Sequence, residues 1–332
     1  MMKEPINLGK IVWFAITISI LSCVSCNHTS KVKIIKLGHG LDTKHSVHKA
    51  MVYMADMLEK ESHGTLKIDI YPNQQLGSER ECVELLQIGS LGMTKVSAAT
   101  MENFASDYSV FGLPYLFNDN THRYKILEGK VGEQLLNSSI PQRLKGLAFY
   151  DSGTRNFYAK VPIKTPDDLK GLKVRVMPSK TAIAMVKTMG GSPTPISWGE
   201  LYTALQQGIV DGAENNLPSF YLNRHYEVCK YFTMDEHTAV PDVLIISTLV
   251  WNKLNNQEQQ WLVKAAKASA IYQKKLWKAS ENEALEGIKK AGVKIYQPDK
   301  ALFKSKVKPL YDEFKKNTKM KALIDAIQQN EN

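Results

Sequence analysis

The chain has 332 residues, which is enough for two domains of ordinary size, each with its own core. Hydrophobic residues make up 43% of the chain and charged residues 23%, and this composition is that of a folded globular protein and excludes a disordered one. The formal net charge is +10, but no RNP, zinc-finger or P-loop pattern accompanies the basic residues. We therefore interpret the basic surface as a solvated one and expect no nucleic-acid partner.

Residues 1–25 have the pattern of a secretory signal peptide. Lys3 and Lys10 give a positive start, and residues 11–21 form an apolar run too short to span a bilayer, which takes about 20 residues. The run ends in LSCVSCN, where Val24-Ser25-Cys26 resembles a bacterial lipobox. We predict a periplasmic protein that is anchored to a membrane by lipid at Cys26, with residues 26–31 as a tether. Cys23 is the competing lipidation site.

The first third of the chain alternates between predicted strands and helices. The predicted elements are a strand at 32–37, a helix at 46–60, a strand at 66–70, a helix at 78–88, and a turn that enters a buried strand at 89–97. This β-α-β-α-β order predicts an α/β domain with a parallel sheet.

Three histidines, His39, His45 and His48, lie close together in this part of the sequence. The spacing puts His39 on a loop at a strand end and His45 at a helix start, with no cysteine or paired carboxylate nearby. No metal site and no cofactor are therefore predicted. We expect His39 to hydrogen-bond a polar ligand, with a purely structural role as the alternative. Cys82 and Cys229 lie far apart, and we predict that both are buried thiols.

The middle of the chain contains a candidate crossing between two domains and a strand with a central arginine. A strand at 146–150 is followed by the polar stretch Asp151-Ser152-Gly153-Thr154-Arg155, where we place the first crossing. Lys173-Val174-Arg175-Val176 alternates as a strand, with the valines on one face and Arg175 on the other. The flanking predictions are helices at 121–136, from 165 and at 181–189, a helix capped by Ser197 and Glu200 with Trp198 in its first turn, and a short strand at 209–210.

Residues 257–285 contain neither Gly nor Pro and repeat apolar residues at helical spacing. A helical pattern of more than about 25 residues is long for a globular protein. A strand at 292–296 and a basic helical tail from Lys300 follow.

Several of these motifs together resemble the substrate-binding proteins of TRAP transporters, of the DctP type. The shared motifs are LKGLKVRV, GGSPTP, the aromatic residue before a Tyr-Ala-Leu-Gln helix, VDGAEN, QLGSERE, VFGLPYLF, GTR and HYEVCKYF. They cover nearly the whole mature chain. None of these motifs is specific for the family when taken alone, but their shared order and spacing are.

The resemblance implies a two-lobed α/β fold of the periplasmic-binding-protein type, with a hinge and one long helix that crosses both lobes. The segments expected from it are lobe I at 32–152, lobe II at 153–241, a return to lobe I with the long helix at 242–280, and a C-terminal part, mainly in lobe II, at 281–332. The implied partners are a small organic acid and the small and large membrane subunits of the transporter.

The resemblance also implies site residues. Arg175 matches the arginine that binds the ligand carboxylate, Arg155 an assisting arginine, and Asn215 an asparagine that contacts the same group. A guanidinium suits this role because its planar fork matches a carboxylate. No acidic residue lies near Arg175 in the sequence, so we expect it to be free of an internal ion pair. Further matches are Trp198, which packs on the ligand, Glu79, which bonds its polar groups, and His237 near the inner site.

One departure bears on specificity. The sialic-acid members of the family have Glu where this chain has Ser97, and Met where it has His39. Lys95, His39 and Glu79 would suit a smaller anionic sugar. GHGLDTKHSVHKAM, MTKVSAATMENF and SPTPISWGELYTALQQG resemble the branch that binds uronates, so a hexuronate is the predicted ligand. A C4-dicarboxylate, an aldonate or sialic acid is the alternative.

Two other classes of function were weighed. No G-x-S-x-G, HExxH, Walker or dinucleotide signature is present, and the arginine pair has no evident general base, so an enzyme is not expected. A lipid-tethered structural or adhesion module is the third possibility, and it predicts no closed polar pocket.

Overall fold

The structure is a computed structural model that describes Met2 and residues 32–329. Apart from Met2, the predicted signal peptide, the tether and the predicted lipidation site Cys26 lie outside the described residues. Among the helices of the described part, none is long and apolar enough to cross a membrane.

The described chain alternates strands and helices along most of its length. Its strands are β1 (Lys33–Gly38), β2 (Leu66–Tyr71), β3 (Met93–Ser97), β4 (Leu144–Tyr150), β5 (Arg155–Ala159), β6 (Lys173–Val176), β7 (Ser192–Pro195), β8 (Gly212–Asn215), β9 (Tyr231–Thr238), β10 (Asp242–Ser247) and β11 (Lys294–Tyr296). Its α-helices are α1 (Ser46–Glu61), α2 (Glu79–Gln87), α3 (Ala98–Met101), α4 (Asn120–Glu128), α5 (Lys130–Ser138), α6 (Lys180–Thr188), α7 (Leu201–Gln206), α8 (Leu217–Leu222), α9 (Thr248–Trp251), α10 (Asn256–Lys290), α11 (Lys300–Lys306), α12 (Lys308–Phe314) and α13 (Thr318–Gln329). Short 3-10 helices span Ser106–Gly112, Ile140–Gln142, Pro166–Leu169, Trp198–Glu200 and His225–Glu227.

The strands form two sheets. The first has the order β2-β1-β3-β10-β4, and the second has the order β11-β9-β5-β8-β6-β7. β1 runs parallel to β2 and β3, and β6 runs parallel to β7 and β8, as the alternation of strands and helices predicts. β10 and β5 run antiparallel to their neighbours. The reason is that each of these two strands enters its sheet directly from the other sheet.

Besides α13, which follows the second-lobe helices α11 and α12 and packs on α5 of the first lobe, three connections in the described part of the chain join the two lobes built on these sheets. Residues 151–154 carry the chain from β4 in the first sheet to β5 in the second, and residues 239–241 carry it back from β9 to β10. The third connection is α10, which packs on α1 and β4 in the first lobe and on α8 in the second. The predicted two-lobed α/β fold and its long crossing helix are confirmed, and the helix is longer than the predicted 257–285.

Hydrophobic cores lie within each lobe and between them. One cluster packs α1 and α10 on the first sheet, and another packs α7 and α8 on the second. A third cluster extends from Val96 and Phe111 in the first lobe to Phe157 and Val174 in the second. The segments that cross between the lobes therefore lie beside an apolar cluster shared by both lobes, and this cluster helps to hold the lobes together there.

Three local predictions are wrong. The strand predicted at 209–210 is absent, and β8 begins at Gly212 instead. The helix predicted at 121–136 is two helices that meet at Gly129, where a Cβ at the nearby Gly132 would lie 2.0 Å from the carbonyl oxygen of Leu127. Only glycine permits so close an approach. Ser197 precedes a 3-10 turn and makes no capping hydrogen bond with its side chain.

Candidate functional site

A cleft between the lobes is lined by residues of both sheets, and small-molecule sites commonly lie in such clefts between domains. Six of the predicted site residues line it, namely Glu79, Lys95, Arg155, Arg175, Trp198 and Asn215. His39 and His237 are not among its lining residues. These side chains lie close together because of the strand pairing. The ends of β3 and β10 meet at the cleft in the first lobe, and the ends of β5 and β8 meet there in the second.

Arg175 is 1% exposed in the middle of β6. Its Nε donates to the carbonyl oxygen of Ile196 at 2.8 Å, while its Nη1 is buried with no hydrogen-bond partner. It forms no ion pair with a carboxylate of the described residues, as the sequence analysis expected. Burial lowers the pKa of the guanidinium to about 10, so the group is charged at neutral pH. Four of its five N–H groups therefore remain for a ligand.

Arg155 is in a different state, because it is already paired. Its Nε contacts the carboxylate of Glu214, its Nη2 donates to Oε1 and to the carbonyl oxygen of the same residue at 2.9 and 2.8 Å, and its Nη1 donates to Oδ1 of Asn215 at 2.9 Å. These four bonds leave one N–H for a ligand. Burial would raise the pKa of the Glu214 carboxyl, but the charges and hydrogen bonds of Arg155 and His237 together outweigh it and lower that pKa to about 2. Sequence analysis did not identify Glu214 as this partner.

His237 lies behind the Arg155–Glu214 pair and is fully buried. Its Nδ1 lies 2.7 Å from Oδ2 of Asp235, and its Nε2 lies 3.6 Å from Oε2 of Glu214. Burial would lower the pKa of the imidazole, but the charges and hydrogen bonds of Asp235 and Glu214 together outweigh it and raise the pKa to about 9. The protonated imidazole of His237 thus stabilises the carboxylate of Glu214 and does not line the cleft.

Lys95 stands between two carboxylates on the wall of the first lobe. Its Nζ lies 3.1 Å from Oε1 of Glu79 and 3.2 Å from Oδ2 of Asp242. Burial would lower the pKa of the ammonium group, but these two charges raise it. One of its three N–H groups remains for a ligand.

Glu79 has little capacity left to accept from a ligand. Besides Lys95, its oxygens accept from the Ser97 N–H at 3.2 Å and from the Thr100 hydroxyl at 2.7 Å. Asp242, in contrast, accepts only from Lys95 among the described residues. Asp242 was missed in the sequence, because nothing local shows that the first residue of β10 lies opposite Ser97 at the end of β3.

His39 lies after β1 and His45 at the start of α1, as expected, but His45 and not His39 lines the cleft. Both ring nitrogens of His39 are engaged, since Nδ1 accepts from the Leu41 N–H at 3.1 Å and Nε2 lies 3.0 Å from Nδ1 of His48. His45 instead lines the cleft. The sequence did carry a signal for the position of His45, which caps α1, but none for the direction of its ring.

Trp198 lies on the opposite wall, beside Arg175. The centre of its ring is 5.9 Å from Cζ of Arg175, and its ring packs edge-on against His225. An arginine over an indole face is a favourable cation–π contact. Trp198 therefore helps to hold the guanidinium of Arg175 in place.

No cluster of three or more His, Cys, Asp or Glu side chains in the described part of the chain could hold a metal ion. Cys82 and Cys229 are free and buried, which confirms the prediction of two buried thiols. Burial raises the pKa of Cys82 to about 11 and that of Cys229 to about 12.

The family model for bacterial extracellular solute-binding proteins, family 7 (DctP), matches residues 37–317. The chain belongs to this family of TRAP solute-binding proteins. The resemblance drawn from the motifs is thereby confirmed, as is the periplasmic-binding-protein-like fold. Proteins of this family are extracytoplasmic binding components of transporters and not enzymes.

Solved structures and relatives agree with this membership. The solute-binding protein matches a TRAP protein of Xanthobacter autotrophicus with bound β-D-galacturonate, at a TM-score of 0.87 and 39% identity over 89% of this chain and 99% of the other. It also matches a TRAP protein of Anaerococcus prevotii with bound D-glucuronate. The TM-score is 0.88 and the identity 34%, over 90% of this chain and 98% of the other. It is 40% identical to the uncharacterized protein YiiZ of Salmonella typhimurium over 98% of this chain and 99% of the relative. A C4-dicarboxylate-binding protein of Rhodobacter capsulatus is 30% identical over 84% of this chain and 86% of the relative.

Proposed function

We propose that this TRAP solute-binding protein captures a hexuronate, such as glucuronate or galacturonate, and delivers it to the small and large membrane subunits of its transporter. The ligand carboxylate binds Arg175 in the fork of its guanidinium. Arg155 assists with its remaining N–H, and Asn215 contacts the same carboxylate. Trp198 packs on the apolar face of the sugar ring.

The observation that carries this proposal is the unpaired state of Arg175. A buried charge without a partner is costly, and a protein retains one where a ligand will complete it. Arg155 and Lys95 have carboxylate partners inside the protein, whereas Arg175 has none among the described residues. One negative charge on the ligand therefore completes the site.

The charge balance of the cleft favours one carboxylate with hydroxyl groups over two carboxylates. The first-lobe wall carries Glu79 and Asp242 around Lys95, and Arg80, which also lines the cleft, is paired with Glu84 outside it. A second ligand carboxylate placed there would meet like charges, whereas a sugar hydroxyl can donate to Asp242. This supports a uronate over a C4-dicarboxylate, and the uronates in the matched structures agree with it.

Closure of the lobes over the ligand would exclude water and strengthen the contacts of Arg175. Residues 239–241 and 151–154 are the segments we propose as the hinge. The division into lobe I at 32–152 and 242–280, lobe II at 153–241, and a C-terminal part at 281–332 that lies mainly in lobe II is part of this proposal. Lipidation at Cys26 would hold the binding protein at the membrane that contains its partner subunits.

Isothermal titration calorimetry tests the proposal with glucuronate, galacturonate, a hexonate, N-acetylneuraminate and succinate, and with glucose as the neutral control. We expect binding of a hexuronate and none of glucose. At about 100 times its dissociation constant, the ligand should stabilise the fold by about 2.7 kcal/mol. Binding of succinate or N-acetylneuraminate alone would contradict the uronate assignment.

A further inference from the structure

His45 has a donor that nothing in the described protein uses. The residue is 2% exposed, lines the cleft, and its Nε2 is buried without a hydrogen-bond partner. Buried side-chain donors almost always have a partner, so an exception in a ligand cleft points to the ligand.

The protonation state of this imidazole is fixed by its other nitrogen. Nδ1 accepts from the backbone N–H of Val47 at 3.2 Å, as the cap of α1. An acceptor at Nδ1 places the proton of the neutral ring on Nε2. Burial, with the nearby charge of Lys95, lowers the pKa of His45 to about 3, so the ring remains neutral in the working range of the protein.

A neutral donor on this wall has a definite chemical partner. The wall already carries Lys95 and the carboxylates of Glu79 and Asp242. A hydroxyl that donates its proton to Asp242 keeps its lone pairs, which can accept from Nε2–H. A carboxylate would be repelled by the two acidic groups.

We propose that His45 is a specificity-determining residue that donates from Nε2 to a hydroxyl or ring oxygen of the ligand. This rests on the proposed function, since it assigns a contact to the sugar part of the same ligand. It gives to His45 the role that the sequence assigned to His39.

The test is His45→Asn, measured by calorimetry with glucuronate and galacturonate and by melting without ligand. Asn is a good helix cap and can still accept from Val47, but it cannot place a donor where Nε2 stands. We expect the melting temperature to be retained and the affinity to fall by about 5- to 30-fold. The matched control is His48→Asn, one turn further along α1 and outside the cleft, which should leave the affinity unchanged.

Two results would overturn the assignment: wild-type affinity in folded His45→Asn, or an equal loss in the two variants. A pH titration tests whether the ring is neutral, as donation from Nε2 alone requires, and a step in affinity near pH 6.5 that His45→Asn removes would contradict this state. Wild-type affinity should show no step near pH 6.5, where an ordinary histidine titrates.

The two proposals fail in different ways. If wild type binds N-acetylneuraminate and no uronate, the uronate assignment fails, and the same two variants are measured with N-acetylneuraminate. If wild type binds succinate alone, both fail, because succinate has no hydroxyl.

Discussion

The guanidinium of Arg155 and the carboxylate of Glu214 form a buried ion pair in which both side chains are at most 6% exposed. His237 supports the same carboxylate from the other side. This arrangement distinguishes Arg155, which is paired within the fold, from Arg175, which has no carboxylate partner among the described residues and which we propose binds the ligand.

Replacing Glu214 by Gln should lower the free energy of unfolding of the unliganded protein by about 3–5 kcal/mol, because it leaves the buried charge of Arg155 without its partner. Urea denaturation at pH 7 measures this. Glu227→Gln is the control, because Glu227 pairs with Arg224 at the surface, and its change should stay within about 1 kcal/mol. Equal effects of the two substitutions would show that the Arg155–Glu214 pair does not stabilise the fold.

The protonated state of His237 should make stability depend on pH on the alkaline side. Its pKa is raised to about 9 in the folded protein, above about 6.5 for the unfolded chain. The stabilisation is thus complete below pH 6.5 and is lost as the pH rises through about 9. The free energy of unfolding, measured at pH 6, 7.5 and 9, should decrease with rising pH for the wild type. The decrease should be smaller for His237→Asn. The same decline in both proteins would rule out His237 as its cause.

Contacts between the lobes should slow ligand release. Glu102 Oε1 accepts from the backbone N–H of Thr181 at 3.1 Å, which joins the segment after β3 to the start of α6 in the other lobe. Glu102→Ala removes about 1 kcal/mol of interaction between the lobes, so dissociation should be about fivefold faster if this contact must break before the ligand leaves. Stopped-flow measurements with glucuronate check this. An unchanged dissociation rate would mean that this contact does not hold the lobes closed.

Lipidation should depend on Cys26. Metabolic labelling with palmitate in the native host should label wild type and Cys23→Ser, and should not label Cys26→Ser. Label that persists in Cys26→Ser and disappears in Cys23→Ser would place the anchor at Cys23.

The sequence predicted those features that depend on local pattern. The alternation around Arg175 gave the strand and its two faces, and the uninterrupted pattern at 257–285 gave the long helix. Contacts between distant segments could not be predicted in this way. The pairing of Arg155 with Glu214 depends on the register of β5 against β8, where Asn156 lies opposite Asn215.

The same limit explains the histidines. The short spacing of His39, His45 and His48 fixes which element carries each one, but the direction of each ring depends on how α1 packs. The structure turns His39 toward His48 and His45 toward the cleft. The sequence pattern predicts the secondary-structure element of each histidine but not the direction of its side chain, so it cannot distinguish these two outcomes.

The central claim is that Arg175 binds the ligand carboxylate, and it is tested by the dissociation constants and unliganded melting temperatures of Arg175→Lys and Arg175→Ala. Lysine keeps the charge but loses the planar fork, so affinity for a hexuronate should fall in a folded protein. Alanine should weaken binding by at least about 30-fold. Because Arg175 has no carboxylate partner in the described protein, the melting temperature should not fall in proportion. A folded Arg175→Ala protein with wild-type affinity would contradict the account.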